Sequence, residues 1–134
     1  MSAYSLRPLA DKLGLKPGMR AWFCHMPAAI RDELAQELAL LDVQTAPSAG
    51  LEAAHLFVTE RATLQQQLPR LRDCLAAAGF VWVSWPKRVS GVASDLTEDA
   101  IREVALPLGL VDVKVCAVDE TWSGLKLMIR RELR

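Results

Sequence analysis

The sequence predicts an α/β fold in which helices cover both faces of a mostly parallel β-sheet. Short apolar runs of strand length alternate with amphipathic helical patterns, an order typical of parallel sheets with crossover helices. The last two apolar runs are joined by only six residues, Asp119–Gly124, which suits an antiparallel strand pair. The chain has 134 residues and 51% hydrophobic content, so we expect one domain over 1–134 with a packed core.

The first half of the chain supplies the first strand and its crossover helix. A helical turn at Pro8–Leu13 precedes Met19–Cys24, a compact apolar run that predicts a buried strand. A helix is predicted over Ala28–Leu41, and a brief strand at Val43–Thr45. The apolar face of that helix repeats at steps of four, four and three, at Ile30, Leu34, Leu38 and Leu41.

A second strand–helix–strand unit follows. Ala54–Val58 predicts a buried strand, and Thr59 is expected to cap the next helix. Proline lacks a backbone N–H, so Pro69 is expected to kink that helix or split it in two. Gly79 is expected to end the helix before the strand Phe80–Ser84. The apolar face of the helix is formed by Leu64, Leu68, Leu71 and Leu75.

The C-terminal third adds a polar loop, a helix and two strands. After the loop 85–96, Thr97 is expected to begin a helix, because acidic residues in the first turn favour its positive end. The strands Leu110–Val118 and Leu125–Arg131 then form the antiparallel pair. No covering element follows the second of these strands. We expect it at the sheet edge, where it offers a surface for a homodimer.

Balanced charge and dispersed cysteines exclude several classes of function. The chain carries 16 Lys+Arg and 16 Asp+Glu, so it lacks the basic surplus that non-specific nucleic-acid binding needs. No apolar run approaches the ~20 residues of a transmembrane helix, and residues 1–7 lack the apolar core of a secretory signal. Cys24, Cys74 and Cys116 lie far apart and suit buried reduced thiols rather than a disulfide or metal site. We therefore expect a cytoplasmic protein with no membrane, nucleic-acid or metal partner.

Some polar and aromatic residues inside the apolar strands are interpreted as core. His55, Trp22 and Trp82 all lie within predicted strands. A buried histidine is more often satisfied by a structural hydrogen bond than used in catalysis, so we expect His55 to be structural.

The carboxyl ends of the predicted strands bring charged and aromatic residues to one rim, where ligands bind in open α/β sheets. Lys87 and Arg88 head a stretch without acids that also offers hydroxyl groups and lies above a helix N-terminus, as an anion cradle would. Two tryptophans either stack on a flat ligand or cover the top of the sheet. The predicted rim for an anionic small molecule or a protein partner comprises His25, Trp85, Lys87, Arg88, Ser90, Gly91, Thr97 and Trp122.

Each part of this rim also has a structural interpretation. His25 is either a general base or ligand contact, or a loop residue that caps the next helix or packs on Trp85. The stretch 87–94 is either an anion cradle or a solvated loop. Asp119 and Glu120 serve either in acid–base chemistry or as loop acids that pair with the basic residues.

Three segments resemble the Rossmann-like S-adenosylmethionine-dependent methyltransferases. Leu13–Arg20 is similar to the lead-in to their first strand, and Leu75–Val83 to the helix–glycine–strand passage of their fifth. Gly109–Val113, with the closing strand, resembles their terminal antiparallel pair. The resemblance implies a three-layer Rossmann-like fold.

Two further segments resemble a family of short bacterial proteins catalogued as a domain of unknown function. They are Val83–Lys87 and Val118–Lys126, and this resemblance covers nearly the whole chain. It implies a reduced methyltransferase-like core and brings no known activity.

The chain departs from the methyltransferase pattern at both cofactor contacts. The turn His25–Ala28 has no glycine, although only glycine lets a backbone approach a cofactor closely. Thr45–Ser48 lacks the acid that would bind ribose hydroxyls, and a strand–helix unit is missing. We therefore expect no cofactor and a non-catalytic binding module. The alternative is a divergent methyltransferase, or an enzyme of unassigned chemistry that uses His25, Glu60 or Asp119.

Overall fold

A computed structural model describes residues 8–134 of the chain; the segment 1–7, interpreted above as lacking a secretory signal, lies outside the described residues. The strands are β1 Arg20–Cys24, β2 Asp42–Val43, β3 Leu51–Phe57, β4 Leu75–Pro86, β5 Leu110–Ala117 and β6 Trp122–Ile129. The α-helices are α1 Leu9–Leu13, α2 Ala28–Glu33, α3 Ala35–Leu38, α4 Arg61–Cys74 and α5 Glu98–Ala105. Short 3-10 helices span Arg88–Ser90, Leu106–Leu108 and Arg131–Leu133.

The six strands form one mixed sheet in the order β2-β1-β3-β4-β6-β5. The first four in this order run parallel, and β6 pairs antiparallel with both β4 and β5. The predicted α/β class, with a mostly parallel sheet and a C-terminal antiparallel pair, is confirmed. The loop 44–50 joins β2 to β3 without a helix, which fits the expected missing strand–helix unit.

Buried apolar side chains form one cluster on each face of the sheet. Alternate residues of a strand point to opposite faces, and in β4 Val83 belongs to one cluster while Trp82 belongs to the other. The first cluster includes Leu68 of α4 and Ile101 of α5. The second includes Leu13 of α1, together with Ile30 of α2. The molecule is therefore a three-layer structure of helices, sheet and helices.

Two predicted helix boundaries are wrong. The helix predicted over 28–41 breaks at Leu34 into α2 and α3. Helix α4 begins at Arg61, and no side chain of its own N-terminal segment caps it. Instead the carboxylate of Asp95 accepts from the backbone N–H of Arg61 at 2.7 Å, so the acceptor comes from a distant loop and not from Thr59.

Pro69 and Gly79 also differ from expectation. Helix α4 runs unbroken from Arg61 to Cys74 with Pro69 inside it. The carbonyl that loses its partner belongs to Gln65, an exposed residue, so water can satisfy it. Helix α4 ends at Cys74, so Gly79 lies within β4 and does not end the helix. Glycine is needed there because a Cβ would come within 2.6 Å of the carbonyl oxygen of Leu51.

The C-terminal hairpin is tighter than the six-residue connection predicted, and β6 is not an edge strand. Only residues 118–121 separate β5 from β6. Strand β6 pairs on both sides, so pairing through the predicted edge, Leu125–Arg131, is wrong. The edge strand on this side of the sheet is β5, whose register shifts between Asp112 and Lys114. Such irregularities discourage edge-to-edge pairing.

The start of α5 matches the predicted cap and supplies a first test. The Thr97 hydroxyl accepts from the backbone N–H of Ala100 at 3.0 Å. We expect Thr97→Ala to lower the free energy of unfolding by about 1 kcal/mol, because one helix N–H loses its acceptor. Thr97→Ser keeps the acceptor and serves as the matched control in urea denaturation. An equal loss in both variants would contradict the capping role.

Candidate functional site

The structure divides the predicted rim between two cavities. The point where strand order reverses lies between β1 and β3, because β2 lies on the other side of β1. A cavity of about 290 Å³ there, the switch-point cavity, is lined by His25, Phe57, Val58, Thr59, Thr63 and Trp122. A second cavity of about 610 Å³, the loop cavity, is lined by Trp85, Pro86, Arg88 and residues 91–98.

The loop cavity is formed where the chain leaves β4. The 3-10 helix Arg88–Ser90 ends at Gly91, whose φ of 78° is readily adopted only by glycine. Inside that turn, the Ser90 hydroxyl donates to the carbonyl of Lys87 at 2.7 Å and accepts from the N–H of Val92 at 3.2 Å. Ser90 therefore shapes the loop instead of lining the cavity.

The far wall of the loop cavity is attached to the β3–α4 connection. The Ser94 hydroxyl donates to the carbonyl of Thr59 at 2.7 Å. One residue later, Asp95 accepts from the N–H of Arg61. These two contacts hold the loop against the first turn of α4, so the cavity wall and the helix start depend on each other.

Removal of the Asp95 carboxylate tests this attachment. We expect Asp95→Ala to lower the free energy of unfolding by about 1 kcal/mol, because the N-terminus of α4 loses its acceptor. Trypsin should also cleave after Arg88 faster, since the loop is released. Asp95→Asn retains an acceptor oxygen and is the control. Unchanged cleavage in Asp95→Ala would contradict the attachment.

The sequence suggests that Lys87 and Arg88 act together, but in the structure their side chains point to different places. The ammonium of Lys87 donates to the carbonyl of Asp119 at 2.7 Å, toward the hairpin between β5 and β6. Arg88 instead lines the loop cavity, and its guanidinium has no hydrogen bond or ion pair within residues 8–134. Lys87 has an extended backbone, in which successive side chains point to opposite sides. This alternation could have predicted from the sequence that Lys87 and Arg88 point in different directions.

Two acidic residues that follow the acid-free stretch 87–94 also line the loop cavity. Asp95 and Glu98 both line it. Glu98 is paired with Arg102 at 2.8 Å, and Asp95 is bound to the start of α4. Each acid therefore already has a partner, whereas Arg88 does not.

The switch-point cavity is small, and two aromatic side chains form part of its wall. Phe57 and Trp122 pack edge to face, with ring centroids 5.4 Å apart and planes at 87°. His25 is exposed and is the one non-glycine residue with positive φ, 57°, among residues 8–134. No side chain caps α2, so His25 is not its cap, and Trp85 lies in the other cavity.

The candidate acid–base residues are separate from one another. The Asp119 carboxylate accepts from the backbone N–H groups of Thr121 and Trp122 at 2.8 and 2.7 Å, which shapes the hairpin turn. Glu60 is exposed at the start of α4. Within the described part of the chain, no hydrogen bond or ion pair joins either acid to His25. Among the described residues, these groups are therefore not joined in one hydrogen-bonded set.

His55 lies in the core, as the sequence indicates. Its Nε2 lies 2.6 Å from the hydroxyl of Ser84 on the neighbouring strand, and its ring stacks on Phe57 with centroids 4.1 Å apart. Burial lowers the pKa of His55 to about 3, so the side chain is neutral at physiological pH.

Between residues 8 and 134, no helix is both long and apolar enough to cross a membrane, and no group of three or more His, Cys, Asp or Glu is placed to hold a metal ion. The three cysteines are half-buried thiols. Burial raises the pKa of both Cys24 and Cys116.

No protein-family model and no curated protein sequence matches the chain. Solved structures of methyltransferases do resemble it. A SAM-dependent methyltransferase from Aquifex aeolicus superposes with a TM-score of 0.60 at 14% identity, over 90% of this chain and 87% of that one. Magnesium protoporphyrin IX methyltransferase from Synechocystis PCC 6803, with bound SAM, gives 0.59 at 9% identity, over 90% and 74%. Precorrin-6y C5,15-methyltransferase from Geobacter metallireducens GS-15 gives 0.56 at 10% identity, over 90% and 85%. The chain therefore has a methyltransferase-like Rossmann fold.

Proposed function

We propose that this chain is a non-catalytic binding module that holds an anionic small molecule in the loop cavity. The observation that carries the proposal is the guanidinium of Arg88, which faces a cavity of about 610 Å³ without a partner in residues 8–134. Ligand cavities of roughly 300–1,000 Å³ are common in proteins. An unpaired guanidinium on the wall favours a carboxylate or phosphate group, which it can bind with two parallel hydrogen bonds.

The rest of the cavity wall defines the body of the ligand. Trp85 and Leu96 are largely buried and present apolar surface, and Thr97 adds a hydroxyl that already accepts from α5. Asp95 and Glu98 disfavour a second negative charge on their side of the cavity. A ligand with one anionic group and an apolar or aromatic body fits this wall best.

The turn after β1 does not fit S-adenosylmethionine. Met26 is buried, Pro27 has no N–H to offer, and His25 carries a side chain at a positive φ where glycine would leave space for a cofactor. The loop after β2 supplies no acid between residues 44 and 48 for ribose hydroxyls. These features support a binding role on this fold rather than methyl transfer. Kinship with the short bacterial family stays a prediction.

The test is isothermal titration with phenyl phosphate and benzoate, and with neutral benzamide as the uncharged counterpart. We expect the two anions to bind and Arg88→Gln to weaken their binding about tenfold, because a charge-assisted contact is lost. Arg70→Gln, on the exposed surface of α4, is the matched control. Binding that Arg88→Gln leaves unchanged would overturn the proposal.

S-adenosylmethionine is titrated in parallel. Micromolar binding of this compound that is abolished by Trp85→Phe or Lys87→Gln would contradict the non-cofactor role and favour a divergent methyltransferase. We expect no binding in either the wild type or these variants.

A further inference from the structure

Two lysines oppose each other on the sheet face that lies away from the loop cavity. Lys114 of β5 and Lys126 of β6 are directly paired across the antiparallel ladder, so their side chains project from the same face. The ammonium of Lys126 lies 4.4 Å from the centroid of the Phe80 ring. Phe80 belongs to the core cluster on the α1 side, which places the lysine pair on that face.

More basic groups lie beside this pair. The ammonium of Lys12, on α1, donates to the carbonyl of Ala117 at 2.8 Å, three residues along β5 from Lys114. Cys116 lies between these two positions, and the pKa of its thiol responds to the neighbouring positive charges. Burial raises the pKa of its thiol, and the positive charges of Lys12, Lys114 and Lys87 partly offset that rise. Three lysines therefore lie near one half-buried thiol.

This arrangement is unfavourable without an anion. Like charges directly opposite each other destabilise an antiparallel pair. The pKa of Lys126 is lowered by burial and further by the charge of Lys114. Neither Lys114 nor Lys126 has an acidic partner within residues 8–134, and Asp112, on the same strand, is bound to Arg102 instead.

We propose that Lys114 and Lys126, with Lys12 beside them, form a binding site for a phosphate-type dianion. Opposed residues in an antiparallel pair have Cβ atoms about 5 Å apart, so two lysine side chains can both reach the oxygens of one phosphate. A dianion neutralises both charges of the opposed pair, whereas a single carboxylate neutralises one. The ligand is either inorganic phosphate or the phosphoryl group of a larger molecule.

Thermal unfolding tests the site with three arms at matched ionic strength: sodium chloride, inorganic phosphate and glycerol 3-phosphate. We expect both phosphates to raise the Tm of the wild type, and Lys114→Gln and Lys126→Gln to abolish that rise. In chloride the same variants should unfold at or above the wild-type Tm, because the repulsion is removed. Lys16→Gln, an exposed lysine elsewhere, is the control. A larger rise with glycerol 3-phosphate would identify an organic phosphate as the ligand class, and an equal rise the inorganic ion.

Cys116 gives a second readout that does not depend on the stability of a variant. The folded protein is alkylated with either anionic iodoacetate or neutral iodoacetamide. After digestion, mass spectrometry of the peptide that contains Cys116 gives the rate for each reagent. The lysines should favour the anionic reagent, and Lys114→Gln or added phosphate should lower the ratio of the two rates about threefold. Arg88→Gln should leave the ratio unchanged, which separates this site from the loop cavity. A ratio unaffected by phosphate, together with a Tm that phosphate does not raise, would overturn the proposal.

Discussion

Acidification from pH 7 to pH 5 is expected to lower the free energy of unfolding by about 2 kcal/mol through His55 alone. The folded protein keeps this ring neutral because burial lowers its pKa from 6.5 to about 3. An unfolded histidine binds a proton near pH 6.5, so the unfolded state holds more protons throughout the window between these values. Stability from this group is complete above pH 6.5, falls as the pH drops, and levels off near pH 3.

The measurement is urea denaturation at half-unit steps between pH 7 and pH 5, above the range in which ordinary carboxylates titrate. The chain has two histidines, so His25→Gln is a matched control that should retain the slope. His55→Gln should flatten it, whatever its effect on stability at pH 7. A slope that survives in His55→Gln but disappears in His25→Gln would contradict the assignment.

Ser84 is the buried partner of this histidine. Its hydroxyl is buried and lies 2.6 Å from His55 Nε2, so the two side chains satisfy each other between adjacent parallel strands. This pair explains how a histidine is accommodated in an apolar strand. It also shows why the sequence could predict a core role for His55 but not its partner, which is 29 residues away in the chain.

The fold was predictable because its signals are local. Strand length, the helical repeat of apolar residues and the cap at Thr97 each depend on a few neighbouring residues, and together they led to the observed order of elements. The boundary at Arg61 was not predictable, because the group that binds its N–H is Asp95 on another loop. Tertiary contacts of this kind leave no periodic trace in the sequence.

The candidate sites were predictable only in part for the same reason. The expectation that charged and aromatic residues gather at strand ends led to some of the residues that line the two cavities, such as His25, Trp85 and Arg88. Their division into two cavities depends on where Lys87 and Arg88 point after the last residue of β4. The opposition of Lys114 and Lys126 depends on a tight hairpin and on the register shift after Asp112, and neither was foreseen.

Trp82→Ala is expected to lower the free energy of unfolding by about 3–5 kcal/mol. Trp82 is 1% exposed and is the largest fully buried side chain among the described residues. Its indole N–H donates to the carbonyl of Leu13 at 2.9 Å, at the end of α1. The side chain therefore fills the core and also fastens α1 to the sheet.

Trp82→Phe separates these two roles. The ring is kept in part, while the hydrogen bond to Leu13 is lost and a buried carbonyl is left without its donor, which should cost about 1–3 kcal/mol. Because α1 has only five residues, it depends on such tertiary contacts to remain helical. Hydrogen exchange in Leu9–Leu13 should accelerate in Trp82→Phe more than global unfolding predicts. Trp22→Phe, at a half-buried tryptophan of β1, is the matched control. If exchange in α1 followed global unfolding equally in both variants, the indole N–H would not be what holds this helix to the sheet.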